Sequence, residues 1–361
     1  MLIRWIMRRW ALTALWFRFR KKQMVFHAPP PLNQGAILAG NHQNAVLDSI
    51  TLAASSLQTP YTLSRASLFN APGFRTFLRS LRMVPIFRFR DGFRKMRRNP
   101  EAFKQSADIL GRDGWLAIFP EGSHLAKHTL RPLQKGVARI AFAAQEAEGW
   151  TREIPIVPVG FHYEDHRAFG SRLLIQFGPS ISSLDLKEAY AEHPKRAERA
   201  LTDRVYEGIK LLILILPQDE EGYQAAVERM ERNRNRFPDL MDQFLSDREV
   251  IEERQGGVPE TDKGGGMVLR RLLGHALCLP GRLLHLPVSL LVMGLVAAST
   301  KDPHLVPSAR FLAGMFLFPL WWVVLLILLH LQYQSVPLDL ILVALLPGAL
   351  WLWSRFSHWT W

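Results

Sequence analysis

Short apolar runs alternate with amphipathic segments between residues 24 and 215. Two of the runs end at Gly40 and before Pro120, as expected for strands buried inside a sheet. The segments between the runs, such as 101–110 and 135–147, carry apolar residues at helical spacing. Strands that alternate with helices predict an α/β domain over residues 24–215, with a largely parallel or mixed sheet covered by helices. The predicted strands are residues 36–40, 115–119, 154–161 and 173–177.

The N-terminal segment, residues 1–23, mixes apolar residues with arginines. Its first 22 residues contain seven basic residues and no acidic one. The alternation predicts a helix that lies on an anionic membrane surface. A secretory signal peptide is the alternative. We reject it because Arg8 and Arg9 interrupt the apolar run and no small-residue cleavage site follows.

The pattern changes again after the α/β domain. Residues 216–266 are charged, show helical spacing and end in glycines, which predicts a solvated helical insert followed by a flexible linker. Residues 267–361 are mostly apolar, and two runs, 312–331 and 336–353, are long enough to cross a bilayer. A weaker third candidate, 283–298, is expected to be an interfacial or half-inserted helix.

The loop between the two long runs is short, so the pair is predicted to be a membrane hairpin. Arg310 precedes it and Arg355 follows it. Positive residues favour the cytoplasmic side, so both ends of the hairpin, and the α/β domain, are predicted to lie there. The alternative is a buried helix pair in a soluble domain.

Charge and composition narrow the class of partner. The net charge is +13 and the pI is about 10.2, which suits nucleic acid, an anionic membrane or a phosphorylated substrate. Eleven Trp, clustered toward the chain ends, favour a phospholipid membrane, and we expect no nucleic acid as partner because no such binding module is recognisable. The single Cys278 excludes an internal disulfide, and the scattered histidines lack the spacing of a metal site, so no metal is expected.

Two blocks carry candidate acid–base chemistry. His42 directly follows the first predicted strand, and Asp48 stands six positions further on, so the two could form a general base and its orienting carboxylate. The sequence Phe119–His124 follows the second predicted strand and contains Glu121 and Gly122 in a turn that could bind an anion. Taken alone, each block is better explained as an ordinary surface turn.

Two further blocks complete the series. Arg88 and Arg90 alternate with apolar residues on a predicted short strand, so both can point to one face and suit a phosphate. Taken alone, they are equally compatible with two solvated arginines on an edge strand. The run 154–160 contains two prolines, and Pro within a strand predicts an edge position or the rim of a site.

In this order and spacing, the four blocks resemble those of the glycerolipid acyltransferase family, the glycerol-3-phosphate and lysophosphatidate acyltransferases. The resemblance covers about residues 30–180, and the segment 119–136 carries it best. It implies that His42 takes the proton from the acceptor hydroxyl and that Asp48 orients His42. The acyl donor would be acyl-CoA or acyl carrier protein, with no other cofactor. The residues implied to bind substrate or phosphate are Arg88, Arg90, Glu121, Gly122 and Ser123. The residues implied to shape the site are Asn41, Pro120 and Pro158.

The sequence departs from the family pattern at two places. Five residues separate His42 from Asp48 where four are usual, and on a continuous helix one extra residue would turn Asp48 about 100° away. A turn or bulge is therefore expected before the helix begins. The longer spacing, with a C-terminal hairpin after a charged insert, resembles one branch of glycerol-3-phosphate acyltransferases that includes dual-specificity fungal enzymes and bacterial relatives. Arg82 stands where the family commonly has Gly, so it adds positive charge beside the phosphate block or distorts the strand.

Two other functions are compatible with the sequence. One is acyl transfer to a lysophospholipid or another lipid during remodelling, which would need a less cationic acceptor pocket. The other is an inactive basic membrane scaffold. The presence of His42, Asp48, Arg88 and Glu121 argues against the scaffold.

Overall fold

The structure is a computed structural model that describes residues 2–70, 74–87, 99–252 and 266–357. Seven strands in these residues form one sheet. They are β1 Phe19–Phe26, β2 Ala36–Gly40, β3 Tyr61–Arg65, β4 Met83–Ile86, β5 Trp115–Ile118, β6 Ile156–Tyr163 and β7 Ser171–Phe177.

Helices cover the sheet and form the C-terminal region. The described helices are α1 Leu2–Arg18, α2 Ala45–Ser55, α3 Phe74–Ser80, α4 Asn99–Gly111, α5 Gly136–Ala147, α6 Lys187–Glu192, α7 Pro194–Lys210, α8 Glu220–Arg232, α9 Leu240–Glu252, α10 Gly266–Leu284, α11 Leu286–Ser299, α12 Val306–Tyr333 and α13 Val336–Phe356. Two short 3-10 helices span Ala66–Asn70 and Leu184–Leu186.

The sheet is mixed, as predicted. Its strand order is β1-β7-β6-β2-β5-β3-β4. The five strands from β6 to β4 are parallel to one another, whereas β7 runs antiparallel to β6 and is parallel to β1. Parallel neighbours end at the same edge of a sheet, so the loops after β2 and β5 and the end of β6 meet there.

Alternating side chains of the central strands supply the cores on the two faces. Ala36 and Leu38 of β2 pack with α1, α2 and the start of α12. Ile37 and Ala39 of the same strand pack with α4, α5 and α7 on the opposite face. Because successive strand residues point to opposite faces, a strand that is buried on both sides is apolar throughout.

The N-terminal helix is shorter than the predicted segment 1–23. It ends at Arg18, and the basic residues after it form β1, which pairs with β7 in parallel from Lys21 opposite Arg172 to Phe26 opposite Phe177. The backbone groups of this segment are hydrogen-bonded to β7. Such pairing cannot be recognised from the spacing of apolar residues within the segment. The strand β3 was also missed in the sequence.

The charged insert is helical but not wholly solvated. Helices α8 and α9 pack on the outer part of the sheet, where Leu174 of β7 is buried among apolar residues of the insert. Those residues are Leu216, Ala226, Met230, Leu240 and Phe244, and Leu214, which precedes the insert, packs with them. The apolar sides of helices α8 and α9 therefore face the core of the protein. The predicted linker glycines 256, 257, 264 and 265 lie outside the described residues.

Helices α12 and α13 are long and apolar enough to cross a membrane, and both extend beyond the runs predicted from sequence. This indicates that the chain associates with a membrane. Residues 272–299 form two helices with a bend of 71° between them at His285. Taken together, these two helices are also long and apolar enough to cross a membrane. Both ends of the α12–α13 hairpin contact the α/β domain. Phe311 packs in the core beside α2, and Arg355 Nη1 donates to Phe19 O at 2.6 Å.

Candidate active site

The loops after β2 and β5 are bonded to each other at the carboxyl edge of the sheet. The backbone N–H of His42 donates to Glu121 Oε1 at 2.6 Å, and Leu125 N donates to His42 O at 3.1 Å. The structure thus brings together the first and second blocks of the sequence, which are almost 80 residues apart.

His42 and Asp48 form a hydrogen-bonded dyad. Nδ1 of His42 lies 2.9 Å from Asp48 Oδ2, and the Asp48 side chain is fully buried. The carboxylate also accepts from Asn44 N at 2.7 Å and from Tyr163 OH at 2.6 Å. Burial and the neighbouring Asp48 raise the pKa of Tyr163 well above its ordinary value, so Tyr163 keeps its proton and donates. Three donors therefore fix the position of one carboxylate.

The turn expected between His42 and Asp48 is present. Helix α2 begins at Ala45, whose φ of +43° lies in the left-handed region that residues with a Cβ rarely adopt. This one residue redirects the chain, so that Asp48 in the first turn of α2 faces back toward His42. The extra residue of spacing is absorbed before the regular helix starts.

The second nitrogen of His42, Nε2, differs from Nδ1 in its surroundings. In the part of the chain that the structure describes, no group bonds to Nε2, and the side chain is 16% exposed. The ring stacks on Phe119 with centroids 4.4 Å apart, and His124 approaches edge-on at 5.8 Å. Because Nδ1 donates to Asp48, the Nε2 lone pair is the basic site of this imidazole. Burial, followed by His42, lowers the pKa of His124, so a neutral ring is its neighbour.

Glu121 links the loop after β2 to Arg131 through hydrogen bonds of its carboxylate. Its side chain is almost fully buried, and Oε2 accepts from Arg131 N at 3.3 Å and Arg131 Nε at 3.2 Å, while Oε1 binds His42 N. Burial raises the pKa of Glu121, and the hydrogen bonds from His42 and Arg131 oppose that rise. Arg131 Nη1 donates to Ser123 Oγ at 2.6 Å. Nη2 of Arg131 is buried and has no hydrogen-bond partner among the described residues.

Gly122 is required by the conformation of the second loop. Its φ is +72°, and a Cβ added there would come within 3.3 Å of Gln134 Cγ. Its N–H closes the turn on Phe119 O at 3.1 Å. A side chain at this position would strain the turn that presents Glu121 and Ser123.

We expect Gly122→Ala to lower stability by about 1 kcal/mol, because a left-handed residue with a Cβ costs about that much. It should also lower turnover, because the loop that anchors His42 must shift. Gly149→Ala is the matched control. Gly149 has a φ of +61° with open space around its Cβ and lies outside the site. Thermal unfolding in detergent should show similar losses for both variants, whereas initial rates should fall only for Gly122→Ala. Equal rates in the two variants would contradict this role of the turn.

The three residues implied to shape the site have different positions. Asn41 is buried and bonds reciprocally to Phe161, with Nδ2 on the carbonyl at 3.1 Å and Oδ1 on the N–H at 2.7 Å. Pro120 O accepts from Gln134 N at 2.7 Å and so closes the second loop. Both residues therefore fix the loops that carry the dyad and Glu121.

Pro158 does not lie on an edge strand, so of the two expected positions, an edge or the rim of a site, the edge is wrong. It sits in β6, between β2 and β7, and packs against Gly208, where an added Cβ would meet Pro158 Cγ at 2.7 Å. Gly178 N, just past the end of β7, donates to the Pro158 carbonyl at 2.9 Å, so the pairing here is made through a carbonyl, which proline retains. Gly208 belongs to α7, on the face of the sheet opposite α2.

The predicted phosphate-binding residues Arg88 and Arg90 lie outside the described residues. Arg82, in the same block, has a φ of +62°, so it adopts the conformation for which Gly is favoured. Its Nη1 donates to Thr59 O at 2.6 Å, and its guanidinium lies over the Tyr61 ring at 4.9 Å. The strand β4 after it is regular, so Arg82 does not distort it.

A polar cavity of about 410 Å³ lies next to the dyad loop but does not include the dyad. His128, His162 and His166 line it, with ring centroids 4.8 to 5.5 Å apart around His128. Burial lowers the pKa of His128 to about 4 and those of the other two well below their ordinary values, so all three are neutral near pH 7. His166 Nε2 bonds Gln43 Oε1 at 3.0 Å and thereby supports the loop that carries His42.

Three groups of the site were missed in the sequence: Tyr163, Asn44 N and Arg131. Tyr163 could have been found from the sequence pattern. It continues the alternation Val157, Val159, Phe161 on the face of β6 that packs against α2. A tyrosine at the end of such a series places its hydroxyl at the carboxyl edge of the sheet. No sequence pattern pointed to Arg131 or to the backbone of Asn44, because their roles depend on loop conformation.

Comparison with known proteins agrees with this site. Residues 18–162 match the family model described as Acyltransferase, a span that includes both loops and most of β6. Over these residues the chain is similar to that family.

Two known proteins are similar to part of this chain. Glycerol-3-phosphate O-acyltransferase 2 of Saccharomyces cerevisiae is 26% identical over 199 residues, which are 51% of this chain. That alignment spans 27% of the length of the yeast protein. The crystal structure of the 1-acyl-sn-glycerophosphate acyltransferase PlsC from Thermotoga maritima aligns with a TM-score of 0.39 at 16% identity, over 57% of this chain and 79% of that one.

Proposed function

We propose that the chain transfers a fatty acyl group from acyl-CoA or acyl carrier protein to a hydroxyl of glycerol 3-phosphate or lysophosphatidate. One observation carries the proposal. The partly exposed His42 keeps Nε2 unbonded among the described residues, while a fully buried carboxylate holds Nδ1. Such a dyad has the geometry of a general base and its orienter. The yeast relative's name and the five-residue spacing of the dyad favour glycerol 3-phosphate as the acceptor.

In the proposed reaction, Nε2 of His42 takes the proton of the acceptor hydroxyl as its oxygen attacks the thioester carbonyl. The carbon–oxygen bond forms, the carbon–sulfur bond breaks, and His42 returns the proton to the departing thiolate. Asp48 stabilises the imidazolium that exists between these two transfers. Tyr163 and Asn44 keep the carboxylate in place throughout.

Arg131 is a further candidate for contact with the phosphate of the acceptor, because Nη2 is buried beside the second loop without a partner among the described residues. We expect Arg131→Lys to raise the KM for glycerol 3-phosphate about tenfold, since a single ammonium cannot bond Glu121, Ser123 and an anion together. Arg139→Lys, in an exposed pair with Glu198, is the matched control. Titration of the acceptor at saturating acyl-CoA measures the effect. Unchanged KM in Arg131→Lys, with intact turnover, would remove Arg131 from acceptor binding.

The active domain is proposed to lie on the cytoplasmic face of the membrane. Helix α1 exposes Trp5, Ile6 and Trp10 to solvent, as an interfacial helix would. Trp16 of α1 stacks on Trp351 of α13 with centroids 6.5 Å apart. The end of the hairpin and the interfacial helix therefore lie together, which supports one membrane surface for both. Basic residues at the two hairpin ends favour the cytoplasmic side.

Acyl transfer in membranes that contain the chain tests the proposal. Radiolabelled glycerol 3-phosphate and lysophosphatidate are offered separately with an acyl-CoA, and the His42→Ala variant is the control. We expect label from glycerol 3-phosphate to enter lysophosphatidate, and to be lost in the variant. Product from lysophosphatidate alone would make the chain the enzyme of the second acylation. If neither acceptor gives His42-dependent product with acyl-CoA or acyl carrier protein, the proposed reaction is wrong and lysophospholipids are the next acceptors to test.

A further inference from the structure

The first membrane-spanning helix reaches directly into the candidate active site. Ser308 is the third residue of α12 and is only 1% exposed. Its Oγ accepts from Leu47 N at 3.1 Å and donates to Asn44 O. One hydroxyl therefore joins the two ends of the turn that lies between His42 and Asp48.

This turn needs external support because it contains a strained residue. Ala45 has a φ of +43°, and a residue with a Cβ is disfavoured there. The same turn places Asn44 N on the Asp48 carboxylate at 2.7 Å. If the turn relaxed to an ordinary backbone conformation, Asn44 N would move and Asp48 would rotate away from His42. Within the turn, the Leu47 N to Asn44 O bond at 2.9 Å closes the loop, and Ser308 reinforces both of its ends.

The segment that leads into α12 also contacts the second loop of the site. His304 Nδ1 accepts from Ala126 N at 3.3 Å. Asp302 Oδ2 lies 3.6 Å from Nε2 of His124, the ring that faces His42. The start of the membrane span and its preceding loop therefore touch both loops that build the site.

We propose that Ser308 is a positioning residue for the His42–Asp48 dyad, and that through it the first membrane span holds the strained Asn44–Leu47 turn in its productive conformation. The inference rests on the proposed function, because it assigns Ser308 a part in the same acyl transfer. Ser308 touches no substrate in this scheme and acts only through the turn.

Ser308→Ala tests the inference by removing one oxygen atom from a buried contact. We expect kcat to fall about tenfold, since one hydrogen bond to each end of the turn is lost. The KM of both substrates should change less than about twofold, because binding groups are untouched. Ser289→Ala is the matched control. Ser289 Oγ donates to His285 O at 2.7 Å within the helical region and lies away from the site. Its rates should equal those of the wild type.

A second substitution separates positioning from general packing. Gly adopts a positive φ without strain, so Ala45→Gly should make the turn independent of Ser308. In the Ala45→Gly background, adding Ser308→Ala should lower kcat less than about threefold, against about tenfold in the wild-type background. A loss of packing alone would be as large in both backgrounds. All rates are normalised to folded protein, measured by thermal unfolding in detergent.

The outcomes distinguish this inference from the function on which it rests. Wild-type kcat in Ser308→Ala, with an inactive His42→Ala, would overturn the role of Ser308 and leave the proposed function intact. Equal losses in the two backgrounds would overturn it as well, since the turn would then not be the target. Full turnover in His42→Ala would overturn the proposed mechanism itself, whatever Ser308→Ala does.

Discussion

His42→Ala is expected to lower the rate of acyl transfer about 10³-fold, because a positioned general base contributes about 10² to 10⁴. Without the imidazole of His42, the dyad has no group that can take the proton of the acceptor hydroxyl. Hydroxyl attack would then depend on water as the base. Initial rates in membranes, normalised to the amount of folded chain, measure the loss.

The variant should remain folded, since among the described residues the His42 side chain hydrogen-bonds to Asp48 alone, and its backbone contacts stay. His193→Ala is a suitable control. It removes an exposed imidazole at the start of α7, far from the dyad, and should leave the rate unchanged. A rate within about tenfold of wild type in His42→Ala would show that another group takes the proton.

Asp48→Asn is expected to cause a loss of similar size, with kcat falling about 10³-fold, because a neutral partner cannot stabilise the imidazolium. The geometry should survive. The amide oxygen can occupy the place of Oδ2 and accept from His42 and Asn44, while its NH₂ group faces Tyr163, whose hydroxyl can turn to accept. The variant therefore removes the charge and keeps the contacts. Single-turnover rates with saturating substrates measure this step.

Tyr163→Phe supplies the comparison for Asp48→Asn. It keeps the charge of Asp48 and removes one of three hydrogen bonds, so kcat should fall only about tenfold. A loss in Tyr163→Phe as large as that in Asp48→Asn would mean that position, not charge, is what the carboxylate contributes. Wild-type turnover in Asp48→Asn would remove Asp48 from the mechanism.

The sequence was informative wherever local patterns coincide with burial. The apolar runs at β2, β5, β6 and β7 mark central strands because both of their faces are covered. The resemblance of four ordered blocks pointed to the family and to His42 and Asp48, which the structure brings within hydrogen-bonding distance. The membrane runs were found by length and composition alone.

Elements that depend on a distant partner were not found in this way. The basic strand β1 looks like a continuation of the N-terminal helix, and only its pairing with β7 makes it a strand. The inner sides of α8 and α9 face a core that forms only when β7 is in place. Pro158 was expected on an edge or at the rim of a site, and it lies in a central strand, where its carbonyl accepts from Gly178 N.

The His42–Asp48 dyad shows most clearly which features follow from sequence and which from tertiary structure. The sequence by itself supplied the histidine, the carboxylate and the strand before them, because those depend on residue type and short-range order. The resemblance to the acyltransferase family added that their spacing is one residue longer than usual. How the pair closes was decided by tertiary structure. Ala45 takes a left-handed conformation, Tyr163 and Asn44 N fix the carboxylate, and Ser308 lies against the turn from a helix some 260 residues away in sequence. Local preference opposes such a backbone conformation, so only contacts between distant segments can stabilise it.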